Sequence, residues 1–489
     1  MRRCDKTTSK LRKPEGFPTR MHVSPCLSVP RLSLNFLTSQ LRNFHLFAFS
    51  KRGSRCLTWF CLIALLIPAA PAAAMPSVER TVLPNQLVLL VAEEHSLPFV
   101  TIQLLMNSGS RKDPPGEEGL ARLAARGLLL GTSRRSAPEI NRETDFLGAF
   151  LTSSAGMDYA TLNLKVLKKD MDRGLDLFMD VLTQPVFPKE EIRREIDKTL
   201  AAIRSAEDQP DDVAEKAFHK ELFLSPYGHP VEGTVESLPR ISRDSIERFY
   251  RDNYHPNNAI LVVVGDITPA EVKTRILPRL ETWKAGTVLT LRFRTAFAGG
   301  PKTVTINRPV TQASIIIGHE GVSRSNPDYY ALSVMNYILG GGGFAARLFE
   351  EIRNKRGLAY SVASYFDPRK YPGSFQIALQ TRNASAGKAM GTALKEMKKI
   401  RRKFVKRKEL EGAKKYLIGS FPMRMDTQEK LARFLGQVEY YGLGLDYPDK
   451  YPFLVGTVTR EDVLRVARKY LHPEKCITVI VANLKEAGF

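Results

Sequence analysis

Apolar and polar positions alternate with two different periods between residues 78 and 489, and the two periods are interleaved. Val78–Leu83 and Gln86–Ala92 are short runs rich in Val and Leu, joined at Pro84-Asn85, which predicts a strand pair. Val100–Met106 predicts a third strand that leads into the polar turn Asn107–Glu118. Leu120 to Leu130 has helical spacing, Phe150–Ser154 and Tyr159–Val166 read as strands, and Lys169–Leu182 and Lys189–Ala206 as long helices. After residue 302 come strands Thr303–Ile306 and Ala313–His319, a helix over Asp328–Leu339, and helices near Ala384–Phe404 and Arg407–Gly419. Strands and helices mix without strict βαβ alternation. The fold class this predicts is α+β, with mixed sheets and helices packed on one face of each.

The pattern also repeats. Ile241–Asp266 reads ISRDSIERFYRDNYHPNNAILVVVGD, and Val458–Asn483 reads VTREDVLRVARKYLHPEKCITVIVAN. They align without a gap at an offset of 217 residues and match His255-Pro256 with His472-Pro473. Each is an N-capped amphipathic helix, a break and a β-branched strand. The body is therefore two homologous halves, 75–285 and 303–489, joined by a basic linker at 286–302 that contains Gly299-Gly300-Pro301.

One stretch of the second half stands out: GGGGFAARLFEEIRNKRGLAY, from Gly340 to Tyr360. The glycines permit positive φ and close packing. Phe344, Ala345, Leu348, Phe349 and Ile352 fall on one face at helical spacing, and Gly357 is placed to stop the helix before a strand over Leu358–Val362. Arg353 lies on the polar side, seven residues before Tyr360.

Charge changes the picture less than its total suggests. The net charge is +22, yet the first 78 residues carry twelve Lys and Arg against Asp5 and Glu15, leaving +12 for the whole remainder. With 43% hydrophobic and 25% charged residues the composition is that of a globular chain, and no nucleic-acid-binding motif accompanies the basic balance. Four of the five cysteines lie in the N-terminal segment, so the body, with Cys476 alone, forms no internal disulfide and offers no cysteine cluster for zinc. Residues 1–74 read as a leader. Lys51–Arg55 is basic, Cys56–Ala70 is apolar and uncharged, and Pro71–Ala74 is a small-residue cleavage site. The expectation is export, to a periplasm, by a signal peptide at about 51–74. The rival readings are an uncleaved membrane anchor and a cytoplasmic chain begun at Met75.

The strand pair, the Gly109-Ser110-Arg111 turn, the Gly119-Leu120-Ala121…Gly131-Thr132 helix, the EEIRREI…EDQP helix and the later GGGG…RLFEEIRNKRGLAYSV segment together resemble the pitrilysin/insulinase family of zinc metallopeptidases. The resemblance spans about residues 78–485 and is greatest to the branch that includes the mitochondrial processing peptidase. It implies a clamshell-like arrangement of the two halves. It also implies an inverted zinc motif, His-x-x-Glu-His, on the first of these helices, with a Glu some 76 residues on as third ligand. Here the four positions hold Arg122, Ala125, Arg126 and Ala202. None is a metal ligand, and two are permanent cations that repel one. The histidines of the body, His95, His219, His229, His255, His319 and His472, include no two that lie three to five apart. His255 and His472 read as structural. Arg122 and Arg126 either line a wet cavity wall or pair with Glu195, which shares a helix face with Ala202 two turns on.

The resemblance further implies that the second half supplies an Arg and a Tyr seven residues apart, facing zinc across a closed chamber. Arg353 and Tyr360 match those positions. The implied function is a non-zinc subunit of a heterodimeric metalloprotease. Such a chain binds no cofactor itself, gives Arg353 and Tyr360 to a homologous zinc-bearing partner, and acts on unfolded peptide. The alternative is an inactive structural or peptide-binding protein on the same scaffold.

Overall fold

The computed structural model describes residues 76–288, 293 and 295–489, so the leader 1–74 and part of the linker 286–302 lie outside the described residues. The strands are β1 (Val78–Val82), β2 (Val88–Glu93), β3 (Phe99–Met106), β4 (Phe150–Ala155), β5 (Ala160–Leu167), β6 (Phe223–Ser225), β7 (Ala259–Gly265), β8 (Ala296–Phe297), β9 (Lys302–Asn307), β10 (Gln312–Glu320), β11 (Ala359–Asp367), β12 (Ser374–Arg382) and β13 (Ile477–Ala482). The helices that matter here are α1 (Leu120–Gly127), α2 (Lys189–Ala206), α3 (Pro210–Leu222), α4 (Arg243–Asn253), α5 (Gln428–Tyr441) and α6 (Arg460–Tyr470). Among the described residues no helix is long and apolar enough to cross a membrane.

Each half builds one mixed sheet. The first runs β1-β2-β7-β3-β5-β4 and the second β11-β12-β10-β13-β9. In both, the strand that follows the repeated helix lies inside the sheet. β7 pairs parallel to β2 and antiparallel to β3. β13 pairs parallel to β9 and antiparallel to β10. An interior strand has both faces covered, which is why AILVVVG in β7 is a continuous apolar run and is buried throughout. The helices before these strands are capped alike: the hydroxyl of Ser242 accepts from the Ser245 amide, and that of Thr459 from the Asp462 amide.

The sequence predicts helices on one face of each sheet. The structure adds a helix on the other face, and it comes from the opposite half. α5 of the second half lays Leu431, Ala432 and Leu435 on Leu90, Leu105, Val262 and Val264 of the first sheet. α3 of the first half lays Ala214, Phe218 and Leu222 on Ile316, Ile477, Val479 and Val481 of the second. The approach is close enough that a Cβ at Gly318 would come within 2.6 Å of the Phe218 ring. Burying each such Leu or Phe contributes about 1.5–3 kcal/mol, so the exchange binds the halves through apolar contact.

A buried polar node reinforces it. The Arg111 guanidinium lies 3.4 Å from the Asp158 carboxylate, both 5% exposed. Asp158 also accepts from the Tyr227 hydroxyl at 2.5 Å and, from the second half, the Lys370 amide at 2.8 Å. The Tyr440 hydroxyl, at the end of α5, donates to the Asp158 carbonyl at 3.1 Å. The region expected to be a plain linker holds β8, whose residues Ala296 and Phe297 pair with β6, because Phe297 packs on Phe223 with ring centroids 5.3 Å apart. Cys476, just before β13, is buried and without a disulfide partner among the described residues, and burial pushes its thiol up to about 12. His319 is buried as well. Its Nδ1 donates to the Glu320 carbonyl at 2.6 Å, its Nε2 accepts from the His472 amide at 3.0 Å, and burial lowers it to about 4.

Candidate functional site

α1 begins where Asp113 accepts from the amides of Gly119 and Ala121, both at 2.8 Å, which satisfies the first free donors of the helix. Its Leu120, Ala121, Leu123, Ala124 and Ala125 are buried in the core of the first half. Arg122 and Arg126, one turn apart, emerge on the remaining stripe and reach α2. Arg126 Nε lies 3.3 Å from Glu195 Oε1, and Arg122 lies 3.9 Å from the same oxygen while donating to Thr199 Oγ1 at 2.9 Å. The Glu195 side chain is 8% exposed, so one nearly buried carboxylate serves two partly exposed cations. Of the two sequence readings for these arginines, the geometry selects pairing with Glu195 over a wet wall.

The four residues do not fit zinc. Guanidinium groups have no free lone pair to donate, Ala125 is wholly buried in apolar packing, and Ala202 has no donor atom. Among the described residues no group of three His, Cys, Asp or Glu is placed to hold a metal.

The second cluster departs from its sequence expectation. The expected continuous helix is broken into a 3₁₀ turn at Gly343–Ala345 and a π-helical segment at Phe349–Asn354. Gly343 has φ +55 with open space around its α-carbon, so its need is conformational. The break rotates Phe344 and Ala345 away from the core: Phe344 is 80% exposed, whereas Ala346, Leu348, Phe349 and Ile352 are buried. Gly357 ends the segment at φ +58, its amide donating to the Arg353 carbonyl at 2.9 Å.

Tyr360 sits at a bulge. Ala359 pairs with Thr381 and Ser361 with Gln380, leaving Tyr360 as the extra residue, and its ring is 71% exposed. The bulge and the π turn bring the two expected residues together. The Arg353 guanidinium lies 5.4 Å from the Tyr360 ring centroid and 4.8 Å from that of Phe349, which Phe344 meets edge-on at 4.6 Å. Glu351 is engaged elsewhere. It bonds Lys355 at 2.7 Å and Arg356 at 2.6 Å, and these partners lower it to about 2. Among the described residues no carboxylate pairs with Arg353, and neither Arg353 nor Tyr360 bonds to the α1 cluster. The sequence reading missed the bulge and the exposed Phe344. Tyr360-Ser361 between buried Ala359 and Val362 breaks the alternation of a strand, and that break was the available signal.

Two family models match the chain. The insulinase (peptidase family M16) model matches residues 88–235 and the peptidase M16 inactive domain model residues 240–417. Together they cover about two thirds of the chain. A protein of Rickettsia bellii described as an uncharacterized zinc protease is 28% identical over 408 residues, 82% of this chain and 97% of its own length. One of Streptomyces coelicolor with the same description is 29% identical over 83% of this chain and 89% of that protein. The crystal structure of a peptidase M16 inactive domain from Pseudomonas fluorescens superposes with a TM-score of 0.78 at 28% identity, over 83% of this chain and 98% of that one. A protease from Helicobacter pylori shares the fold at a TM-score of 0.76 and 19% identity, over 83% of this chain and all of that one. These matches, with arginine and alanine at the expected ligand positions, fit a non-zinc member, and the chain belongs to the insulinase family, peptidase family M16.

Proposed function

We propose that this chain is the non-zinc subunit of a two-chain peptidase and lends Arg353 and Tyr360 to a homologous partner that carries His-x-x-Glu-His and the zinc. The observation that carries the reading is the pairing of a carboxylate-free guanidinium with a phenol pushed into solvent by a bulge. A guanidinium so placed holds a substrate carbonyl, and the phenol hydrogen-bonds an oxyanion that develops during attack on a peptide bond. Bond cleavage itself belongs to the partner. The substrate is an unfolded peptide, and the leader at about 51–74 exports the chain to the compartment where the partner acts. N-terminal sequencing of the mature protein checks that last point, since an intact leader would overturn export with cleavage.

The purified chain alone is expected to leave unfolded peptides intact and to restore cleavage when added to its partner. Arg353→Ala or Tyr360→Phe then removes the rescue. Full rescue by both variants would overturn the role given to these side chains.

A second reading, peptide binding without hydrolysis, draws on a different observation. β4 is a free edge of the first sheet and exposes Phe150, so an extended peptide can add to it as a further strand. Peptide binding with no partner-dependent cleavage favours this reading.

A further inference from the structure

α5 separates two cavities and lines both with Arg433 and Gln437. The smaller, of about 470 Å³, is lined by Arg324, Arg424, Lys430 and Arg433 among tyrosine and phenylalanine rings. Lys430 is neutralised by Asp426 at 2.7 Å. The three arginines have no carboxylate within ion-pair distance among the described residues. Aromatic groups hold two of them. Arg324 lies 3.8 Å from the Tyr329 ring centroid and donates to the Tyr447 hydroxyl at 2.8 Å. Arg424 lies 5.4 Å from the Phe421 ring centroid and 5.6 Å from that of Tyr451. A ring fixes a guanidinium in place without neutralising it, and most of its N–H donors stay free. Three like charges around one cavity repel one another until an anion arrives.

The larger cavity, of about 690 Å³, is floored by hydroxyl and amide side chains of β3, β4 and β5. Gln103 is 7% exposed, and its Nε2 donates to Asn163 at 2.9 Å, which leaves its Oε1 buried with no partner. Thr101 Oγ1 is likewise unpartnered. The second sheet carries a comparable buried glutamine, Gln376, whose Oε1 accepts from the Tyr365 hydroxyl at 3.0 Å and whose Nε2 donates to Glu215 at 3.1 Å. One sheet face is closed by its own hydrogen bonds, and the other leaves an acceptor and a hydroxyl unused. A buried amide oxygen without a donor is costly, and a peptide N–H is a suitable donor for it.

We infer that the groove over α5 binds an acidic peptide, with Arg324, Arg424 and Arg433 taking its carboxylates and its main chain lying on the floor formed by Thr101 and Gln103. This deepens the peptidase reading by naming a substrate class, and it rests on that reading only for the peptide being a substrate. The carboxylates are the Asp and Glu side chains of the peptide.

The test is fluorescence anisotropy on the full chain without any partner, using acidic, neutral and basic labelled decapeptides of matched length. The acidic peptide is expected to bind at least tenfold tighter than the neutral one, with affinity falling as salt rises from 50 to 300 mM. Arg324→Gln/Arg424→Gln/Arg433→Gln should remove that preference. If the triple variant does not fold, exposed Arg433→Gln alone should weaken binding about threefold. Amidating the C-terminus of the acidic peptide should leave its binding intact, and loss of binding on amidation would overturn the assignment to side-chain carboxylates. Equal binding of acidic and basic peptides, or undiminished binding by the folded variants, would overturn the inference. A chain that binds acidic peptide yet rescues no partner would keep this inference and sink the preceding one.

Discussion

Arg126 and Arg353 occupy the two halves of one repeated scaffold, and their surroundings differ in kind. Arg126 shares with Arg122 a carboxylate, Glu195, that is almost buried, and the cluster ties α1 to α2. Arg353 lies against three rings, Phe344, Phe349 and Tyr360, two of them largely exposed, and among the described residues it pairs with no carboxylate. A cation neutralised inside its own fold contributes to holding elements together. A cation held by rings keeps its hydrogen-bond donors for another molecule. The arginines of the first half serve packing, while the guanidinium of the second keeps donors that no carboxylate takes up among the described residues.

This contrast predicts where substitutions act, and the largest effect is expected at the seam between the halves. Asp158→Ala leaves Arg111 buried without its charge partner and deprives the Tyr227 hydroxyl and the Lys370 amide of their acceptor. Breaking a buried pair from one side costs about 3–5 kcal/mol. Urea denaturation of Asp158→Ala should show a loss of that size. A loss below about 1 kcal/mol would mean that the exchanged helices α3 and α5 hold the halves together unaided.

Arg353→Ala should act in the opposite way. Removing one group that stabilises a developing oxyanion or holds its carbonyl typically costs about a hundredfold in rate or more, roughly 2.7 kcal/mol. Partner-dependent cleavage should fall by that factor while the urea midpoint stays put, since the guanidinium buries no charge. If stability drops and cleavage does not, the comparison between the halves is reversed.

Much of this was legible in the sequence, for identifiable reasons. Lys189–Ala206 and Arg407–Gly419 form helices over the residues their periodicity marks, because each buries one stripe against its own half. The repeat placed β7 and β13 at matching positions because the His-Pro break and the β-branched run are local signals. α5 is harder to read. It buries Leu431 and Leu435 on one sheet and Phe434 and Val438 in the other half's core, so no single apolar stripe marks it. β12 alternates instead, with Phe375, Ile377 and Leu379 in the core and Ser374, Gln376 and Gln380 on the other face, where the first half's Glu215 meets Gln376. At the sites, residue types at Arg122, Ala125, Arg126 and Ala202 were enough to argue against zinc. Bringing Arg353 to Tyr360 depended on a bulge opposite Thr381 and Gln380 and on a π turn that buries its own Ile352, and neither has a periodic signature.

The second half also contains an ionisable group that its fold keeps uncharged, which sharpens the contrast with Arg353. His319 is lowered to about 4 by burial, against 6.5 when free. Between those values the unfolded chain takes up a proton that the folded chain does not. Its contribution is therefore fully present above pH 6.5 and is lost as pH falls toward 4. From pH 6.5 to 4.5 the folded state should lose about 2 kcal/mol through this residue. The urea midpoint followed across that range should fall accordingly, and His319→Gln should flatten the slope. An unchanged slope in the variant would assign the acid sensitivity to other groups.

Glu195→Ala is expected to have the smallest effect and gives the most direct test of the comparison. The carboxylate serves two arginines whose side chains are 29% and 34% exposed, so both can turn toward water when it is removed. Solvent screening limits the loss to about 1 kcal/mol, most of it from the 3.3 Å contact with Arg126. Thr199 still accepts from Arg122, which keeps α1 against α2. Partner-dependent cleavage should stay within twofold of the unaltered chain, because the α1 cluster is assigned to packing. A tenfold fall in cleavage with stability intact would show that the arginine pair touches substrate, and would make the first half a second functional site.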